Sequence, residues 1–381
     1  MATNDAKVTP EAVLQALGTV QEPELHDDLV SLNMIRNVEI EGGDVSFTLV
    51  LTTMACPMKA KMQDDAKAAL MTIPGVTGVT VNLIAETPAH ARPATGKQVG
   101  DIVLQDLLPT VKNAVAIASG KGGVGKSTVA VNIAVALAKE GSKVGLLDAD
   151  IYGPSIPTMF DLNESPDVTQ DEKIIPLRKY GVEIMSIGFM IPPDKGVIWR
   201  GPLVAKMIQQ FLDGVEWGEL DYLIIDLPPG TGDTQLTLTQ NVPLAGGLIV
   251  STPQAVALAD VVRAVSMFQK VGVPILGVME NMSTFICPKC GHEEQIFDHG
   301  GAETEADNLG VTFLGSIPID VTIRKGGDSG VPVVESHPDS AIAKAFTDLA
   351  RAMAAKISVQ NLGACKDERH EELGGKGLPM A

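Results

Sequence analysis

Ser119-Gly120-Lys121-Gly122-Gly123-Val124-Gly125-Lys126-Ser127-Thr128 is the stretch from which the fold is read. It contains G-x-x-x-x-G-K-S from Gly120 to Ser127, preceded by the apolar run Val111–Ala118 and followed by the helical stretch Thr128–Lys139, which Gly141 closes. Strand, glycine loop and helix in that order make a phosphate-binding loop. Glycines let backbone N–H groups curl around a phosphate without Cβ clashes. The helix N-terminus adds a positive partial charge. Lys126 is placed to bridge the β- and γ-phosphates, and the Ser127 hydroxyl to ligate Mg²⁺. Gly120 to Thr128 are therefore the expected nucleotide-binding residues. Lys121, between the first two glycines, is near enough to the phosphates to reach a neighbour's nucleotide across a dimer interface. The plain alternative is a solvated loop lysine.

Outward from this loop, residues 109–358 alternate strands with helices. Apolar strands are expected at Val144–Leu147, Leu223–Ile225, Gly247–Ser251 and Ile275–Met279. They lack strict alternation, as strands do when helices cover both faces of a parallel sheet. Two of them end in acids: Asp148-Ala149-Asp150, and Asp226-Leu227-Pro228-Pro229-Gly230. Carboxylates at strand C-termini of an open α/β sheet face the ligand crevice. Asp226 suits holding the water shell of Mg²⁺. Asp150 suits orientation of the attacking water. Asp148 suits a supporting place behind the ion. Gly230-Thr231-Gly232-Asp233 reads as a switch loop responsive to the γ-phosphate. Asn281, read as a strand end, offers an amide that can meet a purine edge, or simply a turn-forming Asn.

Ahead of this lies a small α+β unit, residues 1–90. Thr9-Pro10-Glu11 opens a helix with Pro at its first position. Strands Ile35–Ile40 and Val45–Leu51 turn at Gly42-Gly43; a helix runs from near Pro57 to Leu70, and a last strand is Val76–Leu83. Residues 91–108 read as a linker and 359–381 as a flexible tail.

The net charge of −18 repels nucleic acid and anionic lipid, and no Lys/Arg run offsets it. No apolar run is long enough to span a bilayer. The N-terminus lacks an apolar signal region. A soluble cytoplasmic chain with reduced thiols is expected, partnered by neither nucleic acid nor membrane.

Four cysteines in 381 residues do not make a disulfide framework. Cys287-Pro288-Lys289-Cys290 brings two thiolates to one metal or cluster edge. Three readings stay open: zinc completed by His292 and His299, a redox dithiol, or a metal or cluster shared by two chains. Four thiolates suit zinc and a [4Fe–4S] cluster equally. Cys56 is either a reactive thiol at a helix start or a small buried apolar residue. Cys365 falls in the tail and carries no assignment.

The glycine loop with its extra Lys121 resembles the deviant P-loop of the MinD/ParA/nitrogenase-iron-protein class, whose members sandwich two nucleotides between two subunits. Together with Asp148–Ser155, Trp199-Arg200-Gly201-Pro202, Asp226–Asp233, Thr252-Pro253-Gln254, Glu280-Asn281-Met282-Ser283 and Cys287–Cys290, it resembles the Mrp/ApbC family of iron–sulfur cluster carrier ATPases. That resemblance covers about residues 105–355. It implies a MinD-like α/β fold, a homodimer, slow ATP hydrolysis with Mg²⁺, and a labile [4Fe–4S] cluster held by the Cys287/Cys290 pairs of two subunits for transfer to apo iron–sulfur proteins. Lys121, Lys126, Asp150 and Asp226 are the expected catalytic residues. The first 90 residues resemble the MIP-eighteen/PaaD domain of iron–sulfur assembly, through Glu22-Pro23-Glu24, where that domain has Asp-Pro-Glu, and through Cys56-Pro57.

Overall fold

The computed structural model describes residues 8–23, 27–51, 56, 58–86, 107–190, 201–287 and 289–374. Two compact units emerge: residues 1–91 with 354–381, and residues 92–353.

The first unit runs α1 (Pro10–Leu17), β1 (Gln21–Glu22), β2 (Asp27–Asp28), β3 (Ile35–Glu41), β4 (Asp44–Leu51), α2 (Lys59–Met71) and β5 (Gly78–Ala85). Thr9 caps α1 by accepting the Ala12 N–H at 3.3 Å, the local interaction that lets a short helix start there. β4 lies between β3, antiparallel, and β5, parallel. The apolar stripe of α2, Met62, Ala66 and Leu70, repeats every fourth residue and packs with Val13 and Leu17 of α1 onto Phe47 and Leu49. Cys56 is buried in that core, at 8% exposure. The small apolar reading of Cys56 is the one its surroundings match.

The second unit runs β6 (Val111–Ala118), α3 (Lys126–Lys139), β7 (Val144–Asp148), α4 (Ile156–Met159), β8 (Leu177–Lys179), β9 (Val182–Ser186), α5 (Gly201–Asp213), β10 (Leu220–Asp226), α6 (Asp233–Asn241), β11 (Leu244–Ser251), α7 (Ala255–Val271), β12 (Ile275–Ile286), β13 (Glu293–Glu294), α8 (Gly301–Leu309), β14 (Phe313–Ile319), α9 (Val321–Ser329), α10 (Val333–Ser336) and the first part of α11 (Ala341–Gly374), whose residues from 354 onward belong to the first unit. Nine strands form one sheet in the order β13-β12-β11-β6-β10-β7-β9-β8, with β14 also on β12. Only β8 and β13 are antiparallel to their neighbours. The strand order reverses direction about β6, so a crevice opens beyond its C-terminal end, where the glycine loop sits.

Three expectations change. β12 does not end at Asn281 but continues to Ile286, because the polar side chains of Glu280 and Asn281 are satisfied inside the protein. β8, β9 and β14 add strands that the apolar runs did not signal. The segment read as a tail from 359 continues α11 to Gly374. One interior glycine, Gly363, costs a helix only about 1 kcal/mol, and extending an existing helix is far easier than starting one. Residues 375–381 lie outside the described residues.

Candidate nucleotide site and cysteine turn

The loop between β6 and α3 uses its glycines for different ends. Gly123 and Gly125 are left-handed, with φ of 80° and 83°, a conformation that costs a side-chain-bearing residue. Gly120 is needed for packing: a Cβ there would lie 2.2 Å from Cβ of Asp260 on α7. Val124 is buried. Gly122 sits in the open part of the loop. Thr128 enters α3, its carbonyl accepting from Asn132 Nδ2 at 2.9 Å.

Lys126 is only 6% exposed, and Nζ lies 2.6 Å from Oδ1 of Asp226, which is fully buried. Ser127 Oγ donates to the other oxygen of that carboxylate at 2.6 Å. Sheet register explains the convergence: Asp226 on β10 stands beside Asp148 on β7, and Asp148 beside Ser186 on β9. Asp148 accepts from Asp150 N (3.1 Å), Ile156 N (3.3 Å) and Ser186 Oγ (3.0 Å). It thus ties down both ends of the loop that carries Asp150. Ser186 was invisible in the sequence because β9 itself was missed.

Burial first, and the Asp226 charge second, raise Asp148 to about 7, against the pull of Lys126. Burial likewise raises Asp150. A raised carboxyl makes the folded chain hold a proton that the unfolded chain has lost. Its contribution to stability is full below about pH 4 (its ordinary value is 3.8) and is lost as pH rises through about 7. Thermal melts of the nucleotide-free protein between about pH 5 and 8 should therefore fall less steeply with pH in Asp148→Asn than in wild type. Parallel curves would show that the proton is not there.

Lys121 Nζ lies 3.4 Å from Oε1 of Gln254, the residue before α7, and Thr252 Oγ1 donates to the same oxygen. The lysine is thus parked at the rim of the site. Gln235 is a further residue not read from sequence: its amide donates to the carbonyl of Pro228, and Gly230 N donates to Ser119 O at 3.0 Å. The first bond ties the switch loop to α6, and the second holds it against the glycine loop. The Asp233 side chain, Trp199 and Arg200 lie outside the described residues. Asn281 is buried, and its Nδ2 donates to Val124 O at 2.8 Å. Its amide donor supports the glycine loop from below.

Ser127 Oγ beside an Asp226 oxygen is the donor set that Mg²⁺ takes alongside nucleotide phosphates: a hydroxyl directly and a carboxylate through water. The ion would neutralise developing charge between the β- and γ-phosphates.

Cys287 and Cys290 stand apart from this centre. β12 and β13 pair as a short hairpin, Phe285 with Glu294 and Ile286 with Glu293. At its tip Cys287 N donates to His292 O at 2.9 Å and Gly291 N to Cys287 O at 2.8 Å, with Gly291 left-handed at φ 71°. Cys290 is exposed and Cys287 half-buried. The backbone N–H of Lys289, then that of Cys290, and the Cys290 thiol donate to Cys287 Sγ and hold it below the ordinary thiol range. His292 faces Glu294 at 3.3 Å, and His299 faces Glu280 at 3.3 Å. Among the described residues no three His, Cys, Asp or Glu side chains converge as a metal site. No helix among them is long and apolar enough to cross a membrane.

Comparison with known proteins agrees with this geometry. Residues 110–354 match the family described as NUBPL iron-transfer P-loop NTPase, and residues 10–82 match one described as iron–sulfur cluster assembly protein. An iron–sulfur cluster carrier protein of Synechocystis sp. is 51% identical over 360 residues, covering 93% of this chain and 99% of the relative. One of Deinococcus radiodurans is 45% identical, covering 94% and 98%. Among solved structures, a nucleotide-binding protein of Archaeoglobus fulgidus in complex with ADP is 43% identical, covers 61% of this chain and 93% of its own, and superposes with a TM-score of 0.55. With a family match spanning well over half its length and full-length relatives at this identity, the chain belongs to the NUBPL iron-transfer P-loop NTPase family.

Proposed function

We propose that this protein is a cytoplasmic, ATP-hydrolysing carrier whose cargo is a [4Fe–4S] cluster, held between the Cys287/Cys290 turns of two copies and handed to apo-proteins. The observation that carries the reading is the cysteine turn itself. It presents two thiols at an exposed hairpin tip, one with a lowered proton affinity, in the same unit as a complete P-loop. Two thiolates satisfy half of a four-thiolate site, so a second copy is the natural source of the rest. The carrier names of the relatives and the ADP on the Archaeoglobus protein support it.

The nucleotide chemistry follows from the resting contacts. Lys126 exchanges Asp226 for the β- and γ-phosphates, which frees that carboxylate for the Mg²⁺ water shell. Backbone N–H groups of residues 122–127 take the phosphate oxygens. Asp150, kept partly desolvated and held by Asp148 through its loop, orients the attacking water. Lys121 leaves Gln254 and reaches the partner copy's nucleotide, so hydrolysis waits for pairing. Lys121→Ala is expected to retain ATP binding and lose most turnover; unchanged steady-state phosphate release would remove the lysine from the mechanism.

Anaerobic reconstitution with iron and sulfide tests the whole reading. The expected product is a pair of chains carrying about four iron and four sulfide with visible charge-transfer absorption, and its cluster should activate an apo-protein. Tight zinc without iron uptake would instead favour a zinc-stabilised nucleotide-binding adaptor. ATP-dependent sedimentation with liposomes would favour a membrane-cycling MinD/ParA-like switch.

A further inference from the structure

We infer that Asn281 is a positioning residue coupling the phosphate loop to the cysteine turn through the irregular stretch of β12 that begins at Met282, with Asp298 the matching irregularity on the returning side. The inference rests on the reading above only in taking the P-loop and the cysteine turn as the two working ends.

Three consecutive residues of β12 carry the argument. Glu280 is fully buried and accepts from Gly300 N (3.0 Å) and Ala302 N (2.9 Å), with His299 Nδ1 at 3.3 Å. It therefore clamps the chain where it returns from the hairpin into α8. Asn281 bonds the Val124 carbonyl, and a Cβ on Gly125 would lie 2.2 Å from its Nδ2. Nothing larger than glycine fits between them. Met282 follows, with its Cε only 3.8 Å from that same point. The phosphate loop thus rests directly on Asn281, with the Met282 side chain beside it.

Just beyond this contact the strand is irregular. Met282 is left-handed, φ 59°, in the middle of β12. The β12–β14 ladder is interrupted after Asn281, which pairs with Ile317, and resumes at Phe285, which pairs with Ile319. On the returning side Asp298 is also left-handed, φ 76°, followed by Gly300 at 77°. Left-handed non-glycine residues are held only by their surroundings and are where backbone absorbs a change. Between the two stands the hairpin bearing Cys287, fastened within itself by the β12–β13 pairing and the Cys287 N to His292 O bond. Its feet are fixed to Glu280; the foot that starts it also bears on the phosphate loop. Phosphate binding orders the N–H groups of residues 124 and 125. Any shift of those residues is delivered to the hinge, five residues before Cys287.

Alkylation of Cys287 and Cys290 in the full chain, reduced and free of metal, reads the coupling. Peptide mass spectrometry follows the rate without nucleotide and at saturating Mg·ADP, with native mass spectrometry confirming a single chain, so that pairing does not shield the thiols. Wild type should show a severalfold change in rate on ADP binding. Asn281→Ala should bind ADP more weakly and, once saturated, lose that change. A wild type that binds ADP with no change in rate, or an Asn281→Ala variant with the full change, overturns the inference and leaves the carrier reading to iron analysis. If Asn281→Ala does not bind ADP, Met282→Gly decides. It keeps the Asn281 bond and relaxes the hinge, so its response should shrink; a full response overturns the inference. A wild type that binds no ADP overturns both readings.

Discussion

Lys126→Ala is expected to destabilise the nucleotide-free protein by about 3–5 kcal/mol and to cut ATP hydrolysis on the order of 10²–10³-fold. The first effect is the more telling. Lys126 and Asp226 form a 2.6 Å pair at 6% and 0% exposure, and removing the cation leaves Asp226 uncompensated beside Asp148, which is equally buried. Two carboxylates in that space cannot both stay ionised, so one takes up a proton. The variant's loss should therefore grow as pH rises. Asp226→Asn is the contrast: it keeps an acceptor for Ser127, leaves Lys126 facing Asp148, and removes the repulsion that helps to raise Asp148. Urea unfolding at two pH values, alongside phosphate release, reads both effects. A Lys126→Ala protein as stable as wild type would mean that the lysine does not rest on Asp226. The pair also predicts a slow basal cycle: nucleotide binding must first break a buried ion pair.

How much of this was legible depended on whether a feature is contiguous. The glycine loop was, because its chemistry is written in ten successive residues flanked by a strand and a helix. Asp148 and Asp226 were, because apolar runs ended in them. Ser186 was not: β9 is five residues long, with Glu183 inside it, and only the fold brings it to Asp148. β14 contains Gly315 and Pro318, both of which argue against a strand; an edge position tolerates them. Asn281 shows the opposite failure. Read as a strand end, it lies inside β12, because polar residues after an apolar run signal a strand end unless buried partners wait for them. Glu280 finds them in the N–H groups that open α8 and Asn281 in Val124 O. The histidines near the cysteine turn likewise face carboxylates, which no spacing rule discloses.

Replacing Cys287 and Cys290 together with serine should reduce iron bound after anaerobic reconstitution to background and leave nucleotide affinity within about twofold. Three observations separate the two outcomes. The turn is exposed at a hairpin tip, so the substitutions should alter stability by no more than about 0.5 kcal/mol. Serine preserves the acceptor that the Lys289 and Cys290 N–H groups use, so the hairpin keeps its shape. The phosphate loop is bonded to β12 at Asn281, six residues before the first cysteine. What is lost is thiolate chemistry alone, since a hydroxyl remains protonated where a thiol with lowered proton affinity ionises. Of the single variants, Cys287→Ser should be the more damaging near neutral pH, because Cys287 is the sulfur already biased towards thiolate. Wild-type loading should for the same reason persist somewhat below the pH at which an ordinary thiol pair fails. Iron and sulfide counts against pH, on protein purified without oxygen, give the comparison. Full iron content in the double variant would place the cargo elsewhere and leave the exposed turn without a task.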